Sequence, residues 1–448
     1  MAYEKLFEEV EICGQKIRNR YVAAPLNFLN SSFNGYDGVA NEEDIAYNVA
    51  RAMGGVGLIV YGAVLCTELG IKVQNHIWPF LSNETQVAGF SQMTEAIQFC
   101  GAKVVIQVLP ASGSRGRPIS PGEQAVAPTG GIPYPWGGVA NVTPIGGMLR
   151  ERLGPWLAKE ILEVDPPREL SFDEIQKIIS DTAQSARLAV FAGFDGIELH
   201  ACHHYLIDQF RDPTLNKRTD KYGGSPENRN RIIVELVDAI LKAGKAERPD
   251  FIVGVRVGCE QATSFMGAPY NGYTFEETKA LAKQLEAMGL DYFHATIALP
   301  PSVRREEGLE SKKTVLGPED EDGQLLNYSK ELKSVLKIPV MTPYLRNPEL
   351  AEKAVKEGMT DMVALGRPLM ADPEFVNKVK EGRVGEINQC KKEAFCIVRQ
   401  VMKLPGRCFV NPELGREKYN PKYQITRGFT GADILPPVVR KKPKKPAK

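Results

Sequence analysis

The chain has 448 residues, with 56 lysines and arginines against 55 aspartates and glutamates, a formal charge of +1. Balanced charge argues against a nucleic-acid binder, which carries a basic excess or stripe; 43% hydrophobic and 25% charged residues suit a folded chain with a large core. The longest apolar run, Val56 to Cys66, is too short to span a bilayer, and Met1-Ala-Tyr-Glu-Lys-Leu-Phe-Glu-Glu9 is acidic where a secretion signal needs base and then a greasy stretch. Eight cysteines are too sparse for a disulfide scaffold, so a cytoplasmic chain with no membrane or nucleic-acid partner is expected.

Short apolar runs alternate with stretches of helical period. The runs are Tyr21–Pro25, Gly57–Tyr61, Lys103–Gln107, Phe194–Leu199, Phe251–Arg256, Asp291–Ala295, Ile338–Met341 and Met362–Leu365. Their low polarity suits parallel strands covered on both faces. Helices are predicted over Glu42–Met53, Gln86–Cys100, Phe172–Ala192, Pro226–Ala243, Phe275–Met288, Pro348–Glu357 and Pro373–Glu381. Ser171-Phe-Asp-Glu174 is a cap-like start, and Gly101, Gly193, Gly289 and Gly358 stand where helices want a left-handed terminus. Eight such repeats over about 350 residues are the arithmetic of a (β/α)8 TIM barrel. A doubly wound sheet is the runner-up; it wants a glycine fingerprint at the first turn, and Pro25-Leu-Asn-Phe-Leu-Asn30 has none.

Two regions fall outside the alternation. Residues 111–168, rich in Gly and Pro, form an insertion after the third strand, too long for a simple turn and placed where a lid belongs. A decorative excursion is the plainer reading. Beyond the barrel of residues 1–385 lie a C-terminal extension (386–430) that carries Cys390, Cys396 and Cys408, and a basic tail (431–448) that reads as solvated and disordered.

Three of the five histidines crowd into His200-Ala-Cys-His203-His204-Tyr205, just past the fourth strand. Two imidazole N–H groups converging on one point can polarise a carbonyl oxygen, and a tyrosine of pKa about 10 can deliver a proton at neutral pH. Zinc is the rival reading, but it lacks a third ligand at a familiar spacing beyond Cys202.

This run, followed by Asn216-Lys-Arg-Thr-Asp-x-Tyr-Gly-Gly-Ser-x-Glu-Asn-Arg229, closely resembles the Old Yellow Enzyme family of FMN-dependent ene-reductases. The resemblance continues through Arg18-Asn-Arg20, Ala24-Pro25, Gly54-Gly-Val-Gly-Leu58, Gln107, Gly254-Val-Arg256 and Val363-Ala-Leu-Gly-Arg-Pro-Leu-Met-Ala-Asp372. It implies FMN lying across the carboxyl ends of the barrel strands. The backbone at Ala24, Pro25, Leu26 and Ala63 would meet the isoalloxazine, Gln107 its pyrimidine edge, Arg256 the N1/C2 carbonyl, and Gly366 with Arg367 the phosphate. A guanidinium beside N1 suits the charge of reduced flavin. His200 and His203 would hold the carbonyl oxygen of an α,β-unsaturated substrate, and Tyr205 would protonate its α-carbon. NAD(P)H would be the hydride source. An FMN barrel of other chemistry (amine demethylation, alcohol oxidation) and a non-catalytic flavin-binding barrel are the alternatives.

Three departures from the family stand out. Asn27 replaces the usual threonine or cysteine near flavin O4, and Pro343, with no N–H to give, stands in the phosphate loop of the seventh strand. The third is among the cysteines. Larger relatives resembling bacterial 2,4-dienoyl-CoA reductase carry a [4Fe–4S] cluster on C-x2-C-x3-C-x11-C. Here Cys396-x11-Cys408 and the trailing Asn411-Pro-Glu and Gly415-Arg-Glu417 match, but upstream only Cys390 remains, one residue out of register. Four thiolates are the usual ligand set, so the stretch reads as a degenerate remnant.

Overall fold

A computed structural model of the chain describes residues 3–26, 38–74, 78–119, 122–132, 165–261, 272–297, 322–392 and 404–424, the short strand pair Ser264–Phe265 and Ala268–Pro269, and residues 396 and 399. Asn27, residues 133–164 of the insertion and the basic tail therefore lie outside the described residues.

The apolar runs form a closed parallel barrel: β1 (Tyr21–Ala23), β2 (Leu58–Leu65), β3 (Lys103–Leu109), β4 (Gly196–Ala201), β5 (Ile252–Gly258), β6 (Tyr292–Thr296), β7 (Val340–Pro343) and β8 (Met362–Leu365). Each strand pairs with its successor, and β8 closes on β1 through Val363↔Tyr21, Ala364↔Val22 and Leu365↔Ala23. Nearly every strand residue is buried, because side chains of one face fill the barrel while the other face meets the helices. The doubly wound alternative is excluded by this closure.

The helices include α1 (Glu42–Met53), α2 (Val87–Phe99), α3 (Phe172–Phe191), α4 (Leu206–Arg211), α5 (Pro226–Glu247), α6 (Phe275–Ala287), α7 (Leu326–Val335), α8 (Pro348–Lys356), α9 (Arg367–Ala371) and α10 (Phe375–Lys380), with a short further turn of helix at Glu68–Lys72. Local chemistry sets their ends. Ser171 accepts from the Glu174 N–H while the Glu174 carboxylate takes the Ser171 N–H, the reciprocal cap foreseen for α3. Ser225 caps α5 with Pro226 in its first turn. The four predicted terminal glycines all have positive φ. The sequence reading did not name α4, α7 or α9.

A hairpin, Val10–Ile12 with Gln15–Ile17, closes the amino-terminal end. Val10, Ile12 and Ile17 join Val22, Leu58, Val105, Ile252 and Met362 in one buried cluster, a plug that keeps water out of the barrel. Just after it, Arg18 gives N–H bonds to Cys100 O, Ala52 O and Val56 O, satisfying carbonyls that the ends of α1 and α2 leave open. Function is thereby confined to the opposite rim.

The insertion leaves and rejoins the barrel at that rim. Val126–Ala127 pairs in parallel with Arg168–Glu169, and Arg218 ties both ends by donating to Pro128 O and Leu170 O. Residues 404–424 are clamped from the other side. Arg51 Nη1 meets Glu417 Oε1 at 2.6 Å with both side chains almost wholly buried, and Asn411 Nδ2 donates to Met370 O at 2.8 Å.

Candidate active site at the carboxyl ends of the strands

At its end β4 must turn sharply into α4, and two consecutive residues take left-handed backbone, His203 (φ 59) and His204 (φ 55). Non-glycine residues held there cost of order 1–3 kcal/mol each and persist only where their surroundings over-determine them. Here they do. Asp208 Oδ2 accepts the His204 N–H (2.8 Å), Gln209 Nε2 donates to His204 O (2.7 Å), and Arg115 Nη1 donates to His203 O (2.5 Å). The turn brings His200, His203 and Tyr205 together.

The ring centroids of His200 and Tyr205 are 5.2 Å apart, edge to face, and Trp78 stands 5.4 Å from Tyr205 on another side. The Arg115 guanidinium lies 4.4 Å over the Tyr205 ring. His203 Nδ1 and His200 Nε2 are 3.2 Å apart, and His203 Nε2 is 3.4 Å from Thr296 Oγ1. The two imidazoles thus bond each other, a refinement of the sequence expectation: an incoming oxygen has to replace that bond before both rings can donate to it.

Both rings are neutral at working pH. Burial, then the nearby Arg256 cation, pushes His200 down to about 3; the Glu198 carboxylate opposes this and loses. Enclosure, Arg256, His200 and Arg115 hold His203 well below the ordinary histidine range. A neutral imidazole is a donor that gives up no proton, the state wanted for polarising a carbonyl. Donor atoms of His200, Cys202 and His203 lie within 4.8 Å of one another, the one such group of three among the described residues. Burial pushes the Cys202 thiol well above its ordinary value and Arg256 stands close by, so the zinc reading finds a protonated sulfur beside a fixed cation.

The remaining predicted residues ring the same mouth. Ala24 and Leu26 follow β1, with the Ala24 N–H bonded to Leu365 O at 2.9 Å, and Pro25 is buried between them. Ala63 sits at a register shift of β2 against β3, a bulge that pushes it toward Leu65, Trp78, Leu109 and Tyr205. Gln107 and Arg256 are inward on β3 and β5, and Arg256 stands in register with His200 on one side and His294 on the other. Gly366 caps α9 and Arg367 opens it. Ala24, Leu26, Gly62, Leu365 and Gly366 line a cleft that reaches Arg51 and Tyr47 of α1. Arg367 also borders a second cleft, with Met370, Cys390, Cys396, Arg407 and Cys408.

The sequence reading missed several residues of the site. Glu198, fully buried on β4, accepts from Gln107 Nε2 (2.6 Å), Tyr292 Oη (3.0 Å) and His294 Nδ1 (3.0 Å). A lone acid inside an otherwise apolar strand was the available signal, since such a charge needs partners. Arg115 and Trp78 carried none; only the fold brings them to Tyr205. By contrast, much of the long signature after Tyr205 is scaffold: Asn216 Nδ2 donates to Phe210 O and Tyr222 O, and Arg229 donates to Arg211 O, Gly224 O and the Glu277 carboxylate.

The mouth suits a flavin. Among the described residues Arg256 bonds only Thr296 Oγ1, at 3.4 Å, and its buried Nε meets no partner there, a donor left over for an acceptor such as the flavin C2 carbonyl. Among the described residues no carboxylate bonds Arg256 directly. Gln107 keeps its Oε1 and second N–H for a ligand after serving Glu198. The iron–sulfur group is a poorer match: the second cleft offers three thiols, and its other polar neighbours, Lys391, Lys392, Arg367 and Arg407, are cations without a lone pair for iron.

The closed (β/α)8 barrel, with two histidines, a tyrosine and an arginine gathered at its carboxyl rim, is the fold of flavin-dependent oxidoreductases of the Old Yellow Enzyme type. The sequence signature of the NADH:flavin oxidoreductase / NADH oxidase family spans residues 5–386, and the chain belongs to that FMN-dependent family. It is 36% identical over 422 residues to the NADH oxidase of Thermoanaerobacter brockii, covering 93% of this chain and 57% of that protein. It is 32% identical over 438 residues to the cinnamate reductase of Clostridium sporogenes, covering 93% and 59%. Among solved structures, a complex of 2-naphthoyl-CoA reductase aligns with a TM-score of 0.76 at 28% identity, over 94% of this chain and 59% of the other. The chain thus spans less than three-fifths of the length of these relatives. No described helix is long and apolar enough to cross a membrane.

Proposed function

We propose that the chain reduces the activated C=C bond of a small α,β-unsaturated carbonyl compound with NAD(P)H as hydride source. The observation that carries this is the neutral His200–His203 pair, with His200 edge to face against Tyr205 and Arg256 beside them, at the barrel mouth. Two named relatives, a cinnamate reductase and an NADH:acrylate oxidoreductase, act on such compounds. When bound, FMN supplies the two-electron step, accepting hydride from the nicotinamide and passing it to the β-carbon.

The protein's own residues do the rest. Ala24, Pro25, Leu26 and Ala63 form the seat, Gln107 and Arg256 hold the pyrimidine side, and Gly366 with Arg367 hold the phosphate. His200 and His203 part to donate to the carbonyl oxygen, which draws charge toward that oxygen and leaves the β-carbon electron-poor. Tyr205 then gives its phenolic proton to the α-carbon. Turnover on a panel of enones, unsaturated carboxylates, unsaturated acyl-CoA thioesters and tertiary amines tests the reading. Alkene reduction with NADH or NADPH supports it; amine oxidation without alkene reduction overturns it.

A further inference from the structure

Beneath the proposed flavin seat lies a polar cluster that the reaction above does not use. Glu198 is wholly enclosed by the barrel, a place where an apolar side chain would pack at no electrostatic cost. Three donors converge on its carboxylate from two strands: Gln107 on the adjacent β3, and Tyr292 and His294 on β6, reaching across β5. The reach across β5 is built in. Residue 254, opposite both Glu198 and Tyr292, is glycine, and a Cβ there would come within 2.1 Å of the Tyr292 ring.

The charges around Glu198 are few. Burial alone would push Glu198 up, but His294, Arg256 and Gln107 outweigh it and hold the carboxyl below its ordinary value, so it is an anion. Burial and Arg256 push His294 down against the pull of Glu198, so His294 is the neutral tautomer that donates from Nδ1; its buried Nε2 meets no partner among the described residues. The Arg256 cation is thus offset through space by Glu198 without a bond between them. Gln107 is fixed too, because one of its N–H groups is spent on the carboxylate.

We infer that Glu198 is a positioning residue for the flavin, resting on the function proposed above: its carboxylate orients the Gln107 amide toward the pyrimidine ring and offsets part of the Arg256 charge, so that it sets how strongly reduced flavin is held relative to oxidised flavin. Reduced flavin carries negative charge next to Arg256. Removing the Glu198 charge therefore favours the reduced form, and strengthening it does the opposite.

The test is the midpoint potential of protein-bound FMN, measured anaerobically against reference dyes, together with FMN dissociation constants for the stripped proteins. Glu198→Gln should hold reduced over oxidised FMN at least tenfold better than the parent, a positive shift of about 30 mV for a two-electron couple. Tyr292→Phe removes one donor and leaves the carboxylate less offset, so its shift should be negative. Glu198→Asp keeps the charge and should stay within about threefold of the parent ratio, an outcome a mere packing role would not give. An unchanged potential in Glu198→Gln with FMN bound, or shifts of one sign in both Glu198→Gln and Tyr292→Phe, overturns the inference and leaves the function standing. Should Glu198→Gln not fold, the sign in Tyr292→Phe decides. A parent protein that binds no FMN overturns the function itself, and this inference with it.

Discussion

The neutral state of His200 makes the fold sensitive to acid. In an unfolded chain a histidine titrates near 6.5; in the fold His200 titrates at about 3, because burial and then Arg256 penalise its charged form. At pH 7.5 both states hold the ring neutral and it contributes nothing to acid sensitivity. As pH falls below about 6.5 the unfolded chain takes up a proton that the folded chain refuses, so stability declines and goes on declining until pH nears 3. At pH 5 the unfolded state is favoured by about 2 kcal/mol through this residue alone, and at pH 4 by about 3.4 kcal/mol. His200→Asn removes that contribution. Its stability deficit against the parent, whatever its size at pH 7.5, should shrink by about 2 kcal/mol at pH 5. Glu198 does not confuse the comparison, because its lowered carboxyl costs stability only below the usual carboxylate range. The assay is urea unfolding followed by tryptophan fluorescence, at both pH values, for both proteins. Parallel losses in parent and variant would refute the argument, for they would mean that His200 is charged, or free to become so, in the folded state.

Other outcomes follow from the same geometry. Tyr205→Phe should lower alkene reduction by a factor of about 10² or more while flavin reduction by NADH, followed by stopped flow, stays at the parent rate; loss of both rates would show a role in binding instead. Glu417→Gln leaves Arg51 buried without its carboxylate, and breaking such a pair costs about 3–5 kcal/mol. It should lower the melting temperature and open residues 404–424 to limited proteolysis. Iron and acid-labile sulfide assays on anaerobically purified protein should find neither at stoichiometric level, since the cleft of Cys390, Cys396 and Cys408 offers three thiols among cations.

Much of the architecture could be read in the residues. Strand runs and helix periods placed the eight barrel strands, because strands covered on both faces must be apolar. Ser171, Ser225 and the terminal glycines announced helix ends through local backbone chemistry that needs no tertiary information. The polarity of Asp208, Gln209 and Arg211 hides the helix at 206–211, because each is buried and bonded within the fold. The hairpin at Val10–Ile17 went unread because its strands are only three residues long.

The site divides in the same way. His200, His203 and Tyr205 could be picked out because they are close in sequence. Glu198, Tyr292 and His294 could not be paired in advance, since register across three strands decides which of them meet. Arg115 reaches Tyr205 from 90 positions earlier, and the Glu198 charge acts on Arg256 through space while its oxygens serve other donors.

The central claim, a flavin seated at this mouth with the histidine pair presenting an electrophile to it, is tested most directly by one anaerobic titration. Purified protein should carry FMN at one equivalent, bleach on addition of NADH or NADPH, and recover its yellow colour when a simple enone is added. A colourless protein that takes up no added FMN, or a bound flavin that no enone reoxidises, would contradict it.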